Sequence, residues 1–251
     1  MFTSAFMMGT AGGGLFVINT TSAENNINLR TKLDAANFNN DVESTIIYNL
    51  DAGVTVGSNT TATAPAWQTG TISSIHTLTL NISGVVYGMG GEGAPAGDVC
   101  VGTGSCPAPV NGGTGGDALF FARNGTVNVL ATGIVKSGGG GGGKGGTGYY
   151  LASDDEDDAC QDGNYGGRGQ GFTTISAAVS GGPALYGDEN STGGAGGNGG
   201  AFGSTGQNGN IAPSYTSYCT PGSGGAAGYA VKKDGNTVTV NNSGVVTGTV
   251  G

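Results

Sequence analysis

Gly193-Gly194-Ala195-Gly196-Gly197-Asn198-Gly199-Gly200-Ala201 repeats the tripeptide Gly-Gly-X three times without a break. The same tripeptide returns in Gly112-Gly113-Thr114-Gly115-Gly116-Asp117 and in Gly142-Gly143-Lys144-Gly145-Gly146-Thr147. In all, 55 of the 251 residues are glycine. A period of three matches the extended polyproline-II helix, which has three residues per turn and no internal hydrogen bonds. With glycine at two positions in three, such helices can lie side by side. Their backbones then approach closely enough for N–H···O and weak Cα–H···O contacts between neighbours. The runs carry few side chains, so the function is expected in whatever interrupts them.

Outward from the runs, a β unit recurs. Leu78-Thr79-Leu80-Asn81-Ile82-Ser83-Gly84-Val85-Val86-Tyr87-Gly88 aligns with Val127-Asn128-Val129-Leu130-Ala131-Thr132-Gly133-Ile134-Val135-Lys136-Ser137. It aligns again with Val238-Thr239-Val240-Asn241-Asn242-Ser243-Gly244-Val245-Val246-Thr247-Gly248. Each copy reads as an alternating strand, a Ser/Thr-Gly corner and a short β-branched strand. The irregular spacing argues against a fixed-period solenoid. Asn124-Gly125 and Asp234-Gly235 read as two-residue hairpin turns. Leu29, Leu33, Ala35 and Ala36 predict one short helix over about 28–38.

The fold class expected is mostly β with irregular structure and very little helix. A β-rich N-terminal domain precedes a glycine-rich polyglycine-II helix bundle braced by short β rungs. The expected divisions are an apolar docking segment over 1–20, a β-rich attachment domain over 21–90, the glycine-rich domain with exposed loops over 91–230, and a C-terminal β-hairpin over 231–251.

Composition narrows the function. The apolar share is 36%, which argues against plain disorder, and seven prolines without a Gly-X-Y period exclude collagen. The net charge is −9 and the eight basic residues are scattered, so no nucleic-acid partner is expected. No apolar run approaches the roughly 20 residues of a spanning helix. No basic residue precedes Arg30, so no conventional secretory signal is expected.

Cys100, Cys106, Cys160 and Cys219 are candidate disulfide partners, with three pairings open. A zinc site is disfavoured, because there is no Cys-x-x-Cys and His76 is the single histidine. No nucleophile, metalloprotease or phosphate-loop motif appears, so no enzyme activity, metal or cofactor is expected. The acidic run Asp154-Asp155-Glu156-Asp157-Asp158 fits no calcium-loop spacing and reads as a solvated loop.

Six of the nine tyrosines fall between the glycine runs: Tyr149, Tyr150, Tyr165, Tyr186, Tyr215 and Tyr218. Their excursions, roughly 147–165, 171–190 and 201–221, are rich in Tyr, Asn, Ser, Asp and Gly, the composition of adaptable recognition loops. Tyrosine supplies contact area at low entropic cost and a hydroxyl for polar edges. The six tyrosines are therefore the candidate recognition residues.

The stretch from Ile27-Asn28-Leu29-Arg30 through Asn49-Leu50-Asp51-Ala52-Gly53-Val54-Thr55-Val56-Gly57-Ser58 resembles the glycine-rich tail proteins of tailed bacteriophages. So do Leu78-Thr79-Leu80 with Gly84-Val85-Val86-Tyr87-Gly88-Met89-Gly90-Gly91, and the closing Gly224-Gly225-Ala226-Ala227-Gly228-Tyr229-Ala230-Val231. The architecture is also similar to fibre-tip adhesins whose polyglycine-II helices pack in a lattice and whose intervening loops bind bacterial receptors. The resemblance implies a non-enzymatic virion tail protein acting outside the host cell. Its partners would be other tail proteins and a bacterial surface protein or glycan. A purely structural tail or capsid component is the other reading.

Overall fold

The structure, a computed structural model, describes residues 4–9, 14–59, 64–96, 108–150, 159–175, 177–186, 192–213 and 217–251. It divides into two compact units. Unit 1 comprises Met1–Gly88, Asp117–Ser137 and Tyr229–Gly251, and unit 2 comprises Met89–Gly116 and Gly138–Gly228.

Unit 1 opens with β1 (Ser4–Gly9), β2 (Gly14–Thr20), β3 (Glu24–Asn25), β4 (Ile27–Asn28) and the helix α1 (Leu29–Ala35). It continues with β5 (Thr45–Leu50), β6 (Thr55–Gly57), β7 (Trp67–Gln68), β8 (Thr77–Ile82) and β9 (Val85–Tyr87). After the first excursion come β10 (Leu119–Phe120), β11 (Gly125–Val129) and β12 (Ile134–Lys136). Unit 2 contributes β13 (Gly148–Tyr150), β14 (Ala159–Gln161), β15 (Leu185–Tyr186), β16 (Thr192–Gly193) and β17 (Ser217–Tyr218). The chain closes in unit 1 with β18 (Tyr229–Lys232), β19 (Val238–Asn242), β20 (Val245–Thr247) and β21 (Thr249–Val250).

In unit 1 the strands form coils of three: β2-β3-β4, β5-β6-β7, β8-β9-β10, β11-β12-β18 and β19-β20-β21. Each strand pairs in parallel with its counterpart in the next coil, giving sheets ordered β2-β5-β8-β11-β19, β3-β6-β9-β12-β20 and β4-β7-β10-β18-β21. Among the described strands of this unit only β1 is antiparallel, along β2. The unit is therefore a three-sided β-solenoid. This corrects the sequence reading, because the expected hairpins do not form. Asp234 (φ 48°) and Gly235 (φ 79°) make a tight turn, but its arms, β18 and β19, enter different sheets. Gly125 is itself the first residue of β11. The segment expected as a C-terminal hairpin is the end of β18 and the last coil, paired in parallel.

Alternation explains the faces. In β5 and β8 buried residues alternate with exposed or half-buried ones, and Ile46, Tyr48, Leu50, Leu78, Leu80 and Ile82 point inward. Between the sheets lies an apolar core that includes Trp67, with its ring 5.6 Å from Tyr48 and 5.3 Å from Phe121. Burial raises the Tyr48 hydroxyl far above its usual range, offset in part by a 2.6 Å bond to Thr20 Oγ1. The Ser/Thr-Gly corners need glycine because a Cβ at Gly84, Gly133 or Gly244 would run into backbone carbonyls. Helix α1 starts where Asn28 Oδ1 accepts the Arg30 N–H and stops at Asn37 (φ 57°), burying Leu29 and Leu33.

An asparagine ladder runs across the first sheet. Asn49, Asn81, Asn128 and Asn241 each donate Nδ2 to Oδ1 of the preceding member, beginning with Asn19, at 2.7–2.9 Å. In parallel register identical side chains stack, so each amide finds its donor and acceptor one strand away.

In unit 2 the glycine-rich segments are extended and form no strand ladder. The segment 138–147 shows why. The N–H groups of Gly139, Gly142 and Gly145 donate to Gln170, Gly167 and Asn164; those of Gly140, Gly143 and Gly146 donate to Ser204, Gln207 and Asn210. Gly141 and Lys144 donate to Gly113 and Val110. Its carbonyls accept from segments 91–94, 194–200 and 222–228. Each neighbour is addressed once per three residues, the repeat of a polyproline-II-type helix, and residues 137–148 are buried throughout. These glycines have no left-handed φ. They are required by proximity: a Cβ at Gly140, Gly141 or Gly142 would overlap the carbonyl of Gly225, Glu92 or Gly197.

Candidate functional site

Hydrogen-bond levels define two ends in unit 2. One end holds Met89, Gly116, Gly138, Gln170 and Gly228, where chain enters or leaves the unit. The other holds Val110, Thr147, Asn164, Gly194, Asn210 and Cys219. The described residues that flank 97–107, 151–158, 187–191 and 214–216 belong to this second end.

Here the extended segments give way to short antiparallel strands. In the order β14-β13-β17, Gly148 stands opposite Gln161 and Tyr218, Tyr149 opposite Cys160 and Ser217, and Tyr150 opposite Ala159. Opposed residues share a face and neighbours alternate. The register sets Tyr218 directly across from Gly148, Tyr150 two positions along β13 from Gly148, and Tyr149 at the intervening position. Tyr186 lies opposite Thr192 in the β15–β16 pair, and β16 neighbours β13 and β14. Four of the six predicted tyrosines thus meet on three strands at one end. Tyr165 lies one turn further back, exposed on the flank of segment 162–170. Tyr215 lies outside the described residues, as do Cys100, Cys106 and the acidic run 154–158.

The base of this end is fixed by buried polar groups. Lys144 is 5% exposed and its ammonium stands 4.0 Å from Asp162, which also accepts from Thr147 Oγ1 at 3.3 Å. Asn164 donates Nδ2 to Pro183 O and accepts from the Tyr165 N–H. Cys219 is buried and disulfide-bonded. On the flank, Arg168 pairs with both oxygens of Glu92.

Unit 1 carries an open groove of about 710 Å3 along the starts of β2, β5 and β8, lined by Leu15, Val42, Glu43, Ser44, Thr45 and Thr77. Glu43 is its one ionisable lining residue among the described residues. Among the described residues no three His, Cys, Asp or Glu side chains group as metal ligands, and no helix is long and apolar enough to cross a membrane.

Sequence reasoning missed the asparagine ladder and the solenoid's parallel register. The ladder's signal was present: Asn81, Asn128 and Asn241 each follow a buried or half-buried apolar residue on equivalent strands.

A family model described as phage tail fibre adhesin Gp38 matches residues 15–251. Among solved structures, the chain is similar to the crystal structure of the gp37-gp38 adhesin tip complex of the bacteriophage S16 long tail fiber. That match has 19% identity and a TM-score of 0.48, and covers 93% of this chain and 82% of the other. No curated protein matches.

Proposed function

The chain belongs to the phage tail fibre adhesin Gp38 family, and from that premise we propose which of its parts meets the host and which meets the fibre. It is a tail-tip adhesin of a phage virion, acting at the host surface. The receptor face is the strand-bearing end of unit 2, with Tyr149, Tyr150, Tyr186 and Tyr218 on β13, β15 and β17, Tyr215 in the adjoining excursion and Tyr165 on the flank. The observation that carries this is the convergence of four tyrosines at the one end of the bundle where glycine gives way to side chains. The bundle behind them is a polyglycine-II lattice, supported by the three-residue hydrogen-bond repeat of segment 138–147. Unit 1 docks to other tail fibre proteins, and the adhesin acts without catalysis.

A rigid lattice suits recognition because it holds the contact residues in place before binding and so reduces the ordering cost. The backbone register brings four tyrosine positions onto neighbouring strands at this end. Such a cluster fits an apolar protein loop or the flat side of a sugar ring. The receptor is a bacterial outer-surface protein or glycan of that character.

The test is adsorption competition with purified protein carrying Tyr150→Ser and Tyr218→Ser together. Both residues sit at strand positions outside the lattice, so the bundle stays intact. Loss of contact residues of this kind costs about 2 kcal/mol or more, so at least roughly thirtyfold more variant should be needed to block phage adsorption. Equal competition by the variant and the intact protein refutes the assignment. Binding to tail fibre proteins with no binding to cells by either form would return the chain to a purely structural role.

A further inference from the structure

Unit 1 contains a buried ionisable cluster that receptor binding does not use. His76, the only histidine, is 3% exposed in the turn before β8. Its Nε2 stands 3.1 Å from the carbonyl oxygen of Asn40, so the ring carries its proton there and donates. Its Nδ1 is buried and has no hydrogen-bond partner among the described residues. The ring leans on Phe38 with centroids 4.8 Å apart. Asn40 Oδ1 also accepts the Ser73 N–H, at 2.9 Å.

Arg123, from the turn before β11, completes the cluster. It donates Nη1 to Ser73 O at 2.7 Å, Nη2 to His76 O and Nε to Asn124 O at 3.1 Å. Among the described residues no carboxylate pairs with it. Three chain segments, 38–40, 73–76 and 123–124, are thus joined through one neutral ring and one buried cation. The other charged groups facing His76 are Arg30 from α1 and Glu43 from the segment before β5.

We propose that His76 is an acid-sensitive latch of unit 1, whose protonation at Nδ1 releases these three segments from one another. Among the described residues the new N–H would have no acceptor, and the imidazolium would sit beside Arg123 with Glu43, the weaker influence, to offset it. Burial, the largest influence, and then the two arginines hold the His76 pKa below its usual 6.5, against the opposing Asn40 bond and Glu43. The sign follows from linkage. Above about pH 6.5 both folded and unfolded chains hold a neutral ring and the stability is complete. As pH falls from there towards the folded-state pKa, only the unfolded chain takes up the proton, and stability is lost. Each unit of depression is a factor of ten in the folding equilibrium.

Because the chain has one histidine, its imidazole C2–H resonance is unambiguous in the intact protein. A proton NMR titration is expected to place its midpoint below 6.5, and a midpoint at or above 6.5 overturns the proposal. Hydrogen exchange supplies the second readout. The Thr77 N–H, bonded to Ser44 O at 3.0 Å, should lose protection tenfold per unit of depression as pH falls below 6.5, after correction for intrinsic rates. Protection unchanged between pH 7 and pH 5 refutes the latch. His76→Gln keeps a donor for Asn40 and cannot titrate, so its protection should be flat over that range. If the variant shows the same pH dependence as the intact chain, the proton acts elsewhere.

Discussion

Gly142→Ala tests whether the glycines of unit 2 are there for proximity. The added Cβ would lie 2.5 Å from the Gly197 carbonyl carbon and closer still to its oxygen, where ordinary contact begins at 3.4 Å. The obstacle is backbone, so no side chain can rotate away. Segment 194–200 would have to retreat by about 1.5 Å, the oxygen's shortfall against close packing. That strains its bonds from Gly194, Gly197 and Gly200 to Gly146, Gly143 and Gly140, now 2.8, 2.9 and 2.7 Å. Three neutral bonds at about 1 kcal/mol each set a loss near 3 kcal/mol. The reduced entropy of an unfolded alanine returns about 0.4–1 kcal/mol. The net, about 2–3 kcal/mol, corresponds to a fall in Tm of roughly 5–10 °C in a chain of this size. Hydrogen-exchange mass spectrometry on peptides covering 138–147 and 194–200 reads the bundle directly. Trp67, the single tryptophan, reports unit 1 by fluorescence and should change little. Ala226→Ser, at an exposed third position of the tripeptide, is the control. A Gly142→Ala protein that melts with the control refutes the proximity argument.

Two further outcomes are expected. Asn128→Ala removes the middle of the asparagine ladder, breaking the bonds to Asn81 and Asn241; at about 1 kcal/mol each this should lower the denaturant midpoint of the Trp67 transition, and an unchanged midpoint would show the ladder to be neutral. Reduction of the protein under denaturant should weaken unit 2 by about 2–4 kcal/mol through the buried disulfide at Cys219, while exchange protection in the solenoid strands stays as it was.

The β character, the single helix and the glycine bundle were legible because each rests on a local period. The parallel register was not, because it depends on which distant strands meet. The aligned copies show the limit. Gly84, Gly133 and Gly244 share one corner position, as aligned, since Val85, Ile134 and Val245 are in register. Before the corner, however, Val127 pairs with Leu80 and Val240, two residues from the aligned position. The β11–β12 coil has two extra residues between its strands, Val129 to Ile134 against Ile82 to Val85. A shift of two preserves the inward and outward faces, so the hydrophobic pattern could not reveal it. Asp-Gly at 234–235 did predict a turn correctly, but turn chemistry fixes only the reversal and not the sheet that receives the next strand. Tyr149, Tyr150, Tyr186 and Tyr218 were singled out by composition alone. Their assembly needed the β13–β17 register, which spans about seventy residues of chain.

The three-residue hydrogen-bond repeat of segment 138–147 also limits how this adhesin can diversify. Adding one or two residues inside a glycine segment would rotate every later N–H towards the wrong neighbour, whereas three residues restore the addresses one turn on. Because segments 89–94, 108–113, 162–170, 194–200, 204–210 and 222–228 are all bonded to the same central segment, a new turn must be added to all of them at once. Length in the bundle is therefore quantised and collective. The strands β13, β14 and β17 pair by β register instead, so changes of length between them need not come in threes.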